Sequence, residues 1–428
     1  MPCSLFSSGP ATGRARRWRL AFAVSLFVCA PLVGAEPLHP LAAAVRDAWS
    51  AHPAASATEQ TLAAARARAD AAARPLYNPE IELSVDDEGP DRTTTAGLAW
   101  TLDWSGKRAA RRDFGSAEFD VASAEAQARR SAYVRSWLQA WADQLAAQRR
   151  VELGAQRVAL VQRFADLADK QLAVGDISTL ERDLALLARD ETRAEQATLI
   201  ADAAAASETL RALGGGSSLP ALSADDALPP ALAPADRRLD GVPEQQLALA
   251  QTRRAARSIQ VAERDRRPDP TVSLRGGQVD LDGVSDNVVG LSVSIPLFVR
   301  NSFRAEVVAA RADADAATAE ERRVSLEIEA AADRASATYA AMREAWQAWT
   351  TSAGTDVDAR AALLERLWRA GELSTADYLI QLQQTVDTAL AGADLQGRVW
   401  RTFVDALYAN GQLDAWVGFD ATNSKVTP

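Results

Sequence analysis

The chain has few of the histidine, cysteine and methionine side chains that bind transition metals or take part in redox chemistry. Its 428 residues include only two cysteines, two histidines and two methionines. Five of these six lie at the start of the sequence, at Met1, Cys3, Cys29, His39 and His52. The rest of the sequence therefore has no cluster with the spacing of a zinc site or a disulfide framework. Motifs for a nucleophile with its base or for a phosphate loop are also absent. We expect a protein that is not an enzyme and has no cofactor and no metal site.

A long apolar run that could span a membrane is missing as well. The nearest candidate runs from Leu20 to Leu32, which is shorter than the roughly 20 residues of a spanning helix. It follows four arginines and precedes Val33-Gly34-Ala35, the arrangement of a cleaved secretory signal. The sequence predicts a signal peptide over residues 1–35. Its removal lowers the formal net charge of −10 by a further four, and an acidic exported chain is a poor candidate for binding nucleic acid.

Proline is absent and glycine is scarce over one long stretch. Between Gly106 and Ala173 only Gly115 and Gly154 interrupt the pattern. Apolar residues recur there at helical spacing, at Val134, Leu138, Trp141 and Leu145 and then every seven residues at Leu153, Leu160, Leu167 and Val174. At ~1.5 Å per residue this helix would be on the order of 100 Å long. A second long helix is predicted from Ser302 to Ser352.

The sequence contains one pattern twice. Pro79-Glu80-Ile81-Glu82-Leu83 returns as Pro270-Thr271-Val272-Ser273-Leu274, and Val174-Gly175-Asp176-Ile177-Ser178-Thr179 returns as Ala370-Gly371-Glu372-Leu373-Ser374-Thr375. We predict a first repeat over residues 36–213, a Gly-, Ser-, Ala- and Pro-rich linker over 214–243, a second repeat over 244–417 and a tail over 418–428. Each repeat is a helix, two strands and a long helical hairpin. Leucines at helical spacing are expected to pack the returning helix, at Leu180, Leu184 and Leu187 in the first repeat and at Leu379, Leu382, Val386 and Leu390 in the second.

Four short stretches alternate between apolar and polar residues with the period of a β-strand. In three of them the apolar positions are clear, and we expect these side chains to face lipid: Ile81, Leu83, Val85, Leu98, Trp100, Leu102, Trp104, Val289, Leu291, Val293, Ile295 and Leu297. A sheet packed on the helices of a compact domain would give the same alternation. The export signal, strand lengths close to ~9–11 residues and the tryptophans favour membrane strands. Four strands cannot close a barrel, and because unpaired edges are unfavourable in lipid, several chains must share one.

Several of these motifs together resemble a known family. Asn78-Pro79-Glu80 leads into a strand, Asp103-Trp104-Ser105-Gly106-Lys107-Arg108 and Ile295-Pro296-Leu297-Phe298 lead from strands into long helices, and both helix tips read Gly-x-x-Ser-Thr. In this order the mature sequence resembles the TolC-type outer-membrane efflux proteins, and its Asn-Pro-Glu and Gly-Lys-Arg motifs resemble the cobalt-zinc-cadmium resistance branch. The resemblance implies a mainly α fold with a small β part. It also implies a trimer in which four strands per chain form one twelve-stranded barrel in the outer membrane, above a tube of helices in the periplasm.

The same resemblance implies a function and its partners. The chain would be the outer-membrane channel of a tripartite efflux system and would conduct divalent heavy-metal cations passively from periplasm to exterior. Its partners would be two further copies of itself, a periplasmic adaptor (membrane fusion) protein, an inner-membrane pump of the RND type and outer-membrane lipid, with no nucleic acid. The adaptor would dock on the tips at Gly175, Asp176, Ser178, Thr179, Gly371, Glu372, Ser374 and Thr375.

Two acids near the tips are candidates for the pore constriction. Glu181 and Asp377 match acids that line the closed end in this family, and a ring of carboxylates would attract cations there. A structural explanation of the tips is also open, because glycine permits the positive φ of a helix reversal and Ser178 and Ser374 can cap the returning helices. An acid on a helix can also be merely solvated.

Two other functions fit the sequence. One keeps the outer-membrane channel and gives it drug efflux or type I protein secretion. The other is a secreted structural coiled-coil protein, in which the alternating stretches form a sheet that caps the helices.

Overall fold

The computed structural model describes residues 40–89, 91–216, 228–232, 237–281, 283–351 and 357–419. The predicted signal peptide lies outside these residues, as do parts of the predicted linker and tail. The described elements are α1 (Pro40–Ala51), α2 (Pro53–Ala72), β1 (Glu80–Glu88), β2 (Asp91–Thr101), α3 (Lys107–Val174), α4 (Thr179–Ala212), a 3-10 turn (Leu239–Gly241), α5 (Pro243–Asp265), β3 (Thr271–Leu281), β4 (Val284–Ser294), α6 (Arg304–Thr351), α7 (Val357–Arg369), α8 (Thr375–Ala409) and α9 (Leu413–Val417). The fold is mainly helical with one small antiparallel sheet, as the sequence predicts.

Helix α3 has 68 residues, which corresponds to about 100 Å at 1.5 Å per residue. Its start is fixed by Asp103, whose carboxylate accepts hydrogen bonds from the backbone N–H groups of Lys107 and Arg108 at 2.8 and 2.6 Å. These two donors have no partner inside the helix, so the side chain satisfies them. The bounds agree with the predicted range to within one residue at each end.

Apolar side chains of α3 form the core with α1 and α8. Val134, Leu138 and Trp141 are buried in one cluster with Trp400 and Phe403. The rings of Trp141 and Trp400 meet edge to face with centroids 5.2 Å apart, an arrangement that the ring quadrupoles favour. This cluster holds the middle of α3 against the C-terminal part of α8.

A second cluster lies where α3, α7 and α8 approach the helix tips. The ring of Phe164 stacks on Tyr378 with centroids 4.2 Å apart and meets Trp368 edge to face at 4.7 Å. Leu382 and Val386 complete the cluster from α8 and are fully buried. The predicted packing positions of the second repeat are thus confirmed at these two residues.

The corresponding prediction for the first repeat is wrong. Leu180 and Leu187 are 69% and 66% exposed, and Leu184 is also exposed. Helix α4 instead turns Ala185 and Thr192 inward. Small residues at these positions let α4 pack against the rest of the chain, which leaves the leucine row on the outside.

The four strands form one antiparallel sheet in the order β1-β2-β3-β4. Glu80 pairs with Ala99, Thr101 with Thr271, and Thr271 with Ser294. All four segments that connect strands to helices therefore leave from the same end of the sheet. The central pair, β2 and β3, joins the two repeats directly.

Candidate functional site

The sheet separates apolar and polar side chains onto opposite faces. Because paired residues on neighbouring strands point to the same side, the register forms a row of apolar side chains across all four strands: Ile81, Leu98, Leu274 and Leu291. A second row contains Trp100, Val272 and Val293. The opposite face carries Glu80, Glu82, Ser84, Thr95, Ser273, Arg275 and Ser292. The alternation predicted from the sequence therefore continues across all four strands in the half of the sheet next to the helices.

The apolar face is left uncovered by the rest of the chain, and along β2 it is more exposed than the polar face. Leu83 is 78% exposed and Val289 82%. Along β2 the positions of the polar face are half-buried, and Ala99 is only 2% exposed. In a compact soluble domain the apolar face of a sheet is the covered one. The geometry therefore argues against a sheet that packs its apolar side on the helices.

Four of the expected lipid-facing positions lie beyond the strands. Strand β2 ends at Thr101 and β4 at Ser294, so Leu102, Trp104, Ile295 and Leu297 belong to the segments that lead into the helices. All four side chains are exposed. The indole N–H of Trp104 donates to the backbone oxygen of Pro268 at 3.1 Å, and this fixes the ring at the end of the sheet.

A buried ionic cluster ties these segments together. Asp269, just before β3, forms an ion pair with Lys107 at the start of α3, with 3.0 Å between Nζ and Oδ2. The hydroxyl groups of Tyr77 and Ser105 donate to the two oxygens of the same carboxylate, each at 3.0 Å. The side chains of Lys107 and Asp269 are only 9% and 2% exposed. Three of the four connecting segments therefore meet at one carboxylate.

This cluster explains part of the motif Asp103-Trp104-Ser105-Gly106-Lys107-Arg108. Its first residue caps α3, and Ser105 and Lys107 bind Asp269. Sequence reasoning missed Asp269 and Tyr77, although the sequence Pro268-Asp269-Pro270 directly before a strand was a local signal. Burial and the hydrogen bond to Asp269 raise the pKa of Tyr77 to about 12.

The two helix tips have the same backbone geometry. At the end of α3, Gly175 has a φ of 85°, and the N–H groups of Gly175 and Asp176 donate to the oxygens of Leu172 and Gln171. At the end of α7, Gly371 has a φ of 74°, and its N–H and that of Glu372 bind the oxygens of Trp368 and Leu367. Both are Schellman motifs, which need glycine because of the positive φ.

The returning helices are capped as the serines predict. The hydroxyl oxygen of Ser178 accepts from the N–H of Glu181 at 3.2 Å, while the carboxylate of Glu181 accepts from the N–H of Ser178 at 2.8 Å. In the second tip Ser374 accepts from the N–H of Asp377 at 3.1 Å. Hydrogen bonds from the backbone N–H and then the hydroxyl of Ser178 lower the pKa of Glu181.

The first tip contacts the second through Glu181. Its second oxygen accepts a hydrogen bond of 3.4 Å from the hydroxyl of Thr375, which itself accepts from the indole N–H of Trp368 at 3.1 Å. Thr375 is 1% exposed, so its side chain is covered within this chain, and its part in docking an adaptor stays a prediction. The other tip residues that the sequence singled out are accessible: Gly175, Asp176, Ser178, Thr179, Gly371, Glu372, Ser374 and the candidate constriction residue Asp377.

Two features are absent from the described part of the chain. There, no group of three His, Cys, Asp or Glu side chains is placed to hold a metal ion. Across the same residues, no helix is both long enough and apolar enough to cross a bilayer.

Comparisons with known proteins agree with this geometry. The family of outer membrane efflux proteins matches residues 44–216. The chain is 29% identical over 236 residues to the cobalt-zinc-cadmium resistance protein CzcC of Cupriavidus metallidurans, which covers 54% of this chain and 56% of that protein. It is also 29% identical over 287 residues to the nickel-cobalt-cadmium resistance protein NccC of Alcaligenes xylosoxydans xylosoxydans, covering 63% of each. The aligned regions thus span less than two thirds of either relative.

A solved structure extends the likeness of fold to most of the chain. The Campylobacter jejuni CmeC outer membrane channel superimposes with a TM-score of 0.71 at 15% identity, covering 87% of this chain and 85% of that one. The family model matches the region of the first repeat, and the likeness of fold extends over both repeats. In sequence over residues 44–216, and in fold over most of its length, the chain is similar to outer membrane efflux proteins.

Proposed function

We propose that the chain is the outer-membrane channel of an efflux system and conducts its substrate from periplasm to exterior. The observation that carries this proposal is the sheet, whose apolar face is left exposed by the rest of the chain. Outer membrane efflux proteins are channels and not enzymes, which agrees with the sequence expectation. The sheet would lie in the outer membrane and the long helices below it in the periplasm.

Three copies would share one barrel. Strands β1 and β4 lie at the two ends of the four-stranded order, and each has one edge that the chain itself does not pair in the described residues. Lipid cannot satisfy the N–H and C=O groups of such an edge, so β4 of one copy would pair with β1 of the next. Three copies would then close a barrel of twelve strands with its polar face toward the bore.

The helix tips would form the periplasmic end and meet an adaptor protein. Residues 157–193 contain seven acids and six bases, and residues 357–387 contain five acids and three bases. Each copy would therefore bring a net charge of about −3 to this end, and a ring of such charges favours cations over anions. Asp377, Asp176 and Glu372 are the accessible carboxylates nearest the turns. Glu181 would act there with its oxygens already engaged by Ser178 and Thr375.

Heavy-metal cations are the substrate class that we propose. The relatives CzcC and NccC are named for resistance to cobalt, zinc, cadmium and nickel. A channel for such ions needs no tight metal site, because a strongly bound ion would leave slowly. An adaptor and an inner-membrane pump of the RND type would drive the export. A deletion strain should become sensitive to salts of these metals, and unchanged resistance to all of them would refute the substrate assignment.

A matched pair of substitutions tests the membrane sheet. Leu291→Arg places a charge on the apolar face, and Ser292→Arg places it on the polar face of the same strand. A lipid-facing arginine near the midplane costs about 2–4 kcal/mol, so we expect the first variant to assemble poorly and the second to form conducting trimers. Trimers are measured on unheated gels and conductance in planar bilayers. Equal behaviour of the two variants would contradict the assignment of the faces.

A further inference from the structure

The helix end of the sheet is strongly basic. We name four segments at this end of the sheet, residues 73–79, 102–112, 264–270 and 295–304, the basic collar. They comprise the connections between strands and helices and, in three of them, the adjoining end of α3, α5 or α6. They contain three acids and ten bases: Arg74, Lys107, Arg108, Arg111, Arg112, Arg264, Arg266, Arg267, Arg300 and Arg304. At the opposite end of the sheet, the described residues of the two hairpins, 86–89, 91–92, 279–281 and 283–286, contain six acids and one base. Charge is thus separated along the sheet within a chain of formal net charge −10.

Two of the three acids in the collar are engaged by the fold. Asp103 caps α3, and Asp269 lies in the buried cluster with Lys107. Arg112 also pairs with Asp113, which directly follows the collar, and no ion pair is described for the other eight bases of the collar. Their positive charge needs anions from outside or solvent to balance it.

Several guanidinium groups are positioned by backbone oxygens. Arg108 donates to the oxygen of Ala73 at 2.7 Å, Arg264 to that of Ser105 at 3.0 Å, and Arg266 to that of Ser302 at 3.3 Å. These contacts orient the side chains without cancelling their charge. Arg267, Arg300 and Arg304 are exposed, and among the described residues no carboxylate lies within ion-pair distance of them.

The basic groups are interleaved with exposed apolar side chains. In the same segments Trp104, Leu297 and Val299 are 70%, 77% and 86% exposed. A surface for a soluble polyanion would not need them. Tryptophan and aliphatic groups next to arginines are the composition of a membrane–water interface, where the apolar part enters lipid and the charge stays at the headgroups.

We propose that the basic collar binds the phosphate groups of anionic phospholipids in the membrane leaflet that faces the periplasm. The proposal rests on the proposed membrane position of the sheet. Arginine is always charged and its planar guanidinium binds phosphate oxygens in pairs, so the preorganised groups hold lipid headgroups in a ring at the base of the sheet. The acidic hairpins at the other end are repelled by such lipids, and the two ends together set the depth and direction of insertion.

Three variants and one probe lipid test this. In the triple variant Arg267→Gln, Arg300→Gln, Arg304→Gln the collar loses three charges and no described contact. The matched control removes three exposed arginines far from the sheet: Arg360→Gln, Arg366→Gln, Arg398→Gln. A third variant, Arg267→Lys, Arg300→Lys, Arg304→Lys, keeps the charge. Each trimer is reconstituted in phosphatidylcholine with brominated phosphatidylglycerol, and quenching of tryptophan fluorescence gives the relative affinity for the anionic lipid.

We expect the native protein and the control to prefer phosphatidylglycerol, and the glutamine collar variant to lose at least about fivefold of that preference, since one basic residue near a charged surface contributes about that factor. The lysine variant should keep most of the preference for phosphatidylglycerol, and high salt should weaken this preference in every protein that has it. Inorganic phosphate at the lipid's concentration should not displace the lipid, because it lacks the acyl chains.

The outcomes separate this proposal from the proposed channel. Failure of the native protein to insert into neutral phosphatidylcholine would refute the channel itself. Insertion with equal phosphatidylglycerol preference in the collar variant and the control would overturn the collar alone. Displacement of the lipid by inorganic phosphate would also overturn the collar. The same holds if the glutamine collar variant changes the ion selectivity of the pore and keeps its lipid preference, since the arginines would then face water in the bore.

Discussion

The buried ion pair between Lys107 and Asp269 gives the sharpest test of how the sheet is joined to the helices. The substitution Asp269→Asn removes the negative charge and keeps the volume. It leaves the ammonium group of Lys107, whose side chain is 9% exposed, without its partner at 3.0 Å. An uncompensated buried charge of this kind costs about 3–5 kcal/mol.

The expected loss can be converted into a melting temperature. With an unfolding entropy of ~2.1 cal/mol/K per residue over roughly 400 residues, each kcal/mol corresponds to about 1.2 °C. The Asn variant should therefore melt about 4–6 °C below the native protein. Near-ultraviolet circular dichroism of the purified protein in detergent follows this transition. A melting temperature within about 1 °C of the native value would contradict the reasoning.

A double-mutant cycle shows whether the two charges act as a pair. Lys107→Met alone leaves the Asp269 carboxylate buried with two hydroxyl donors, from Tyr77 and Ser105. The double variant Lys107→Met, Asp269→Asn removes both charges, so it should lose less stability than the two single losses added together. The pKa of Tyr77, raised to about 12 in the native protein, should fall in Asp269→Asn because a neutral amide no longer disfavours the phenolate. Additive losses together with an unchanged tyrosine titration would refute the cluster.

Three further predictions concern the helices. Gly175→Ala and Gly371→Ala should each lower the local free energy of unfolding of their tip by about 1 kcal/mol, because alanine is strained at positive φ. Amide exchange at that tip should become correspondingly faster. The pKa of Glu181 is lowered in the folded protein, so its capping stabilises the helix fully above the ordinary value of 4.5, and this stabilisation is lost as the pH falls from there through the lowered pKa. Amide exchange at the start of α4 should therefore become faster at low pH, and Glu181→Gln should abolish this pH dependence. Gly392→Ala should displace the ring of Trp349, because the new Cβ would lie 2.6 Å from it. We expect a loss of about 1–3 kcal/mol in stability, which thermal melting measures, and a change in tryptophan fluorescence.

Controls separate these effects from general damage. Gly175→Asn keeps a residue that tolerates positive φ, so it should exchange nearly as slowly as the native tip. No atom lies within 4 Å of an added Cβ at either tip glycine; a loss far above that expected from backbone strain would contradict the explanation. Unaltered fluorescence in Gly392→Ala would show that α8 moves instead of the ring.

Local patterns of the sequence predicted the helices, strands and tips. Proline-free heptads specify where α3 runs, and glycine followed by serine specifies how each tip reverses, because these depend on residues within one or two turns. Strand alternation likewise specifies the two faces of the sheet. In each case the structural rule acts over a distance that the sequence displays directly.

Features that join distant residues could not be predicted in this way. Asp269 and Lys107 are 162 positions apart, and no periodicity relates them. The exposed leucines of α4 have the spacing of a packed seam, yet Ala185 and Thr192 are the inward positions. Spacing shows that a helix has an apolar row and leaves open what covers that row, which depends on the neighbours that the fold supplies.

The two repeats end in tips of equal backbone and unequal side chains. In the second, Trp368 and Tyr378 bury Thr375; the first has Leu172 and Arg182 at the equivalent positions, and its Thr179 is open. A closed assembly of three chains would thus present six ends of two alternating kinds. Its rotational symmetry is threefold even though the folds repeat sixfold, so any binding protein that engages every end must offer two different contact surfaces or bind with two different strengths.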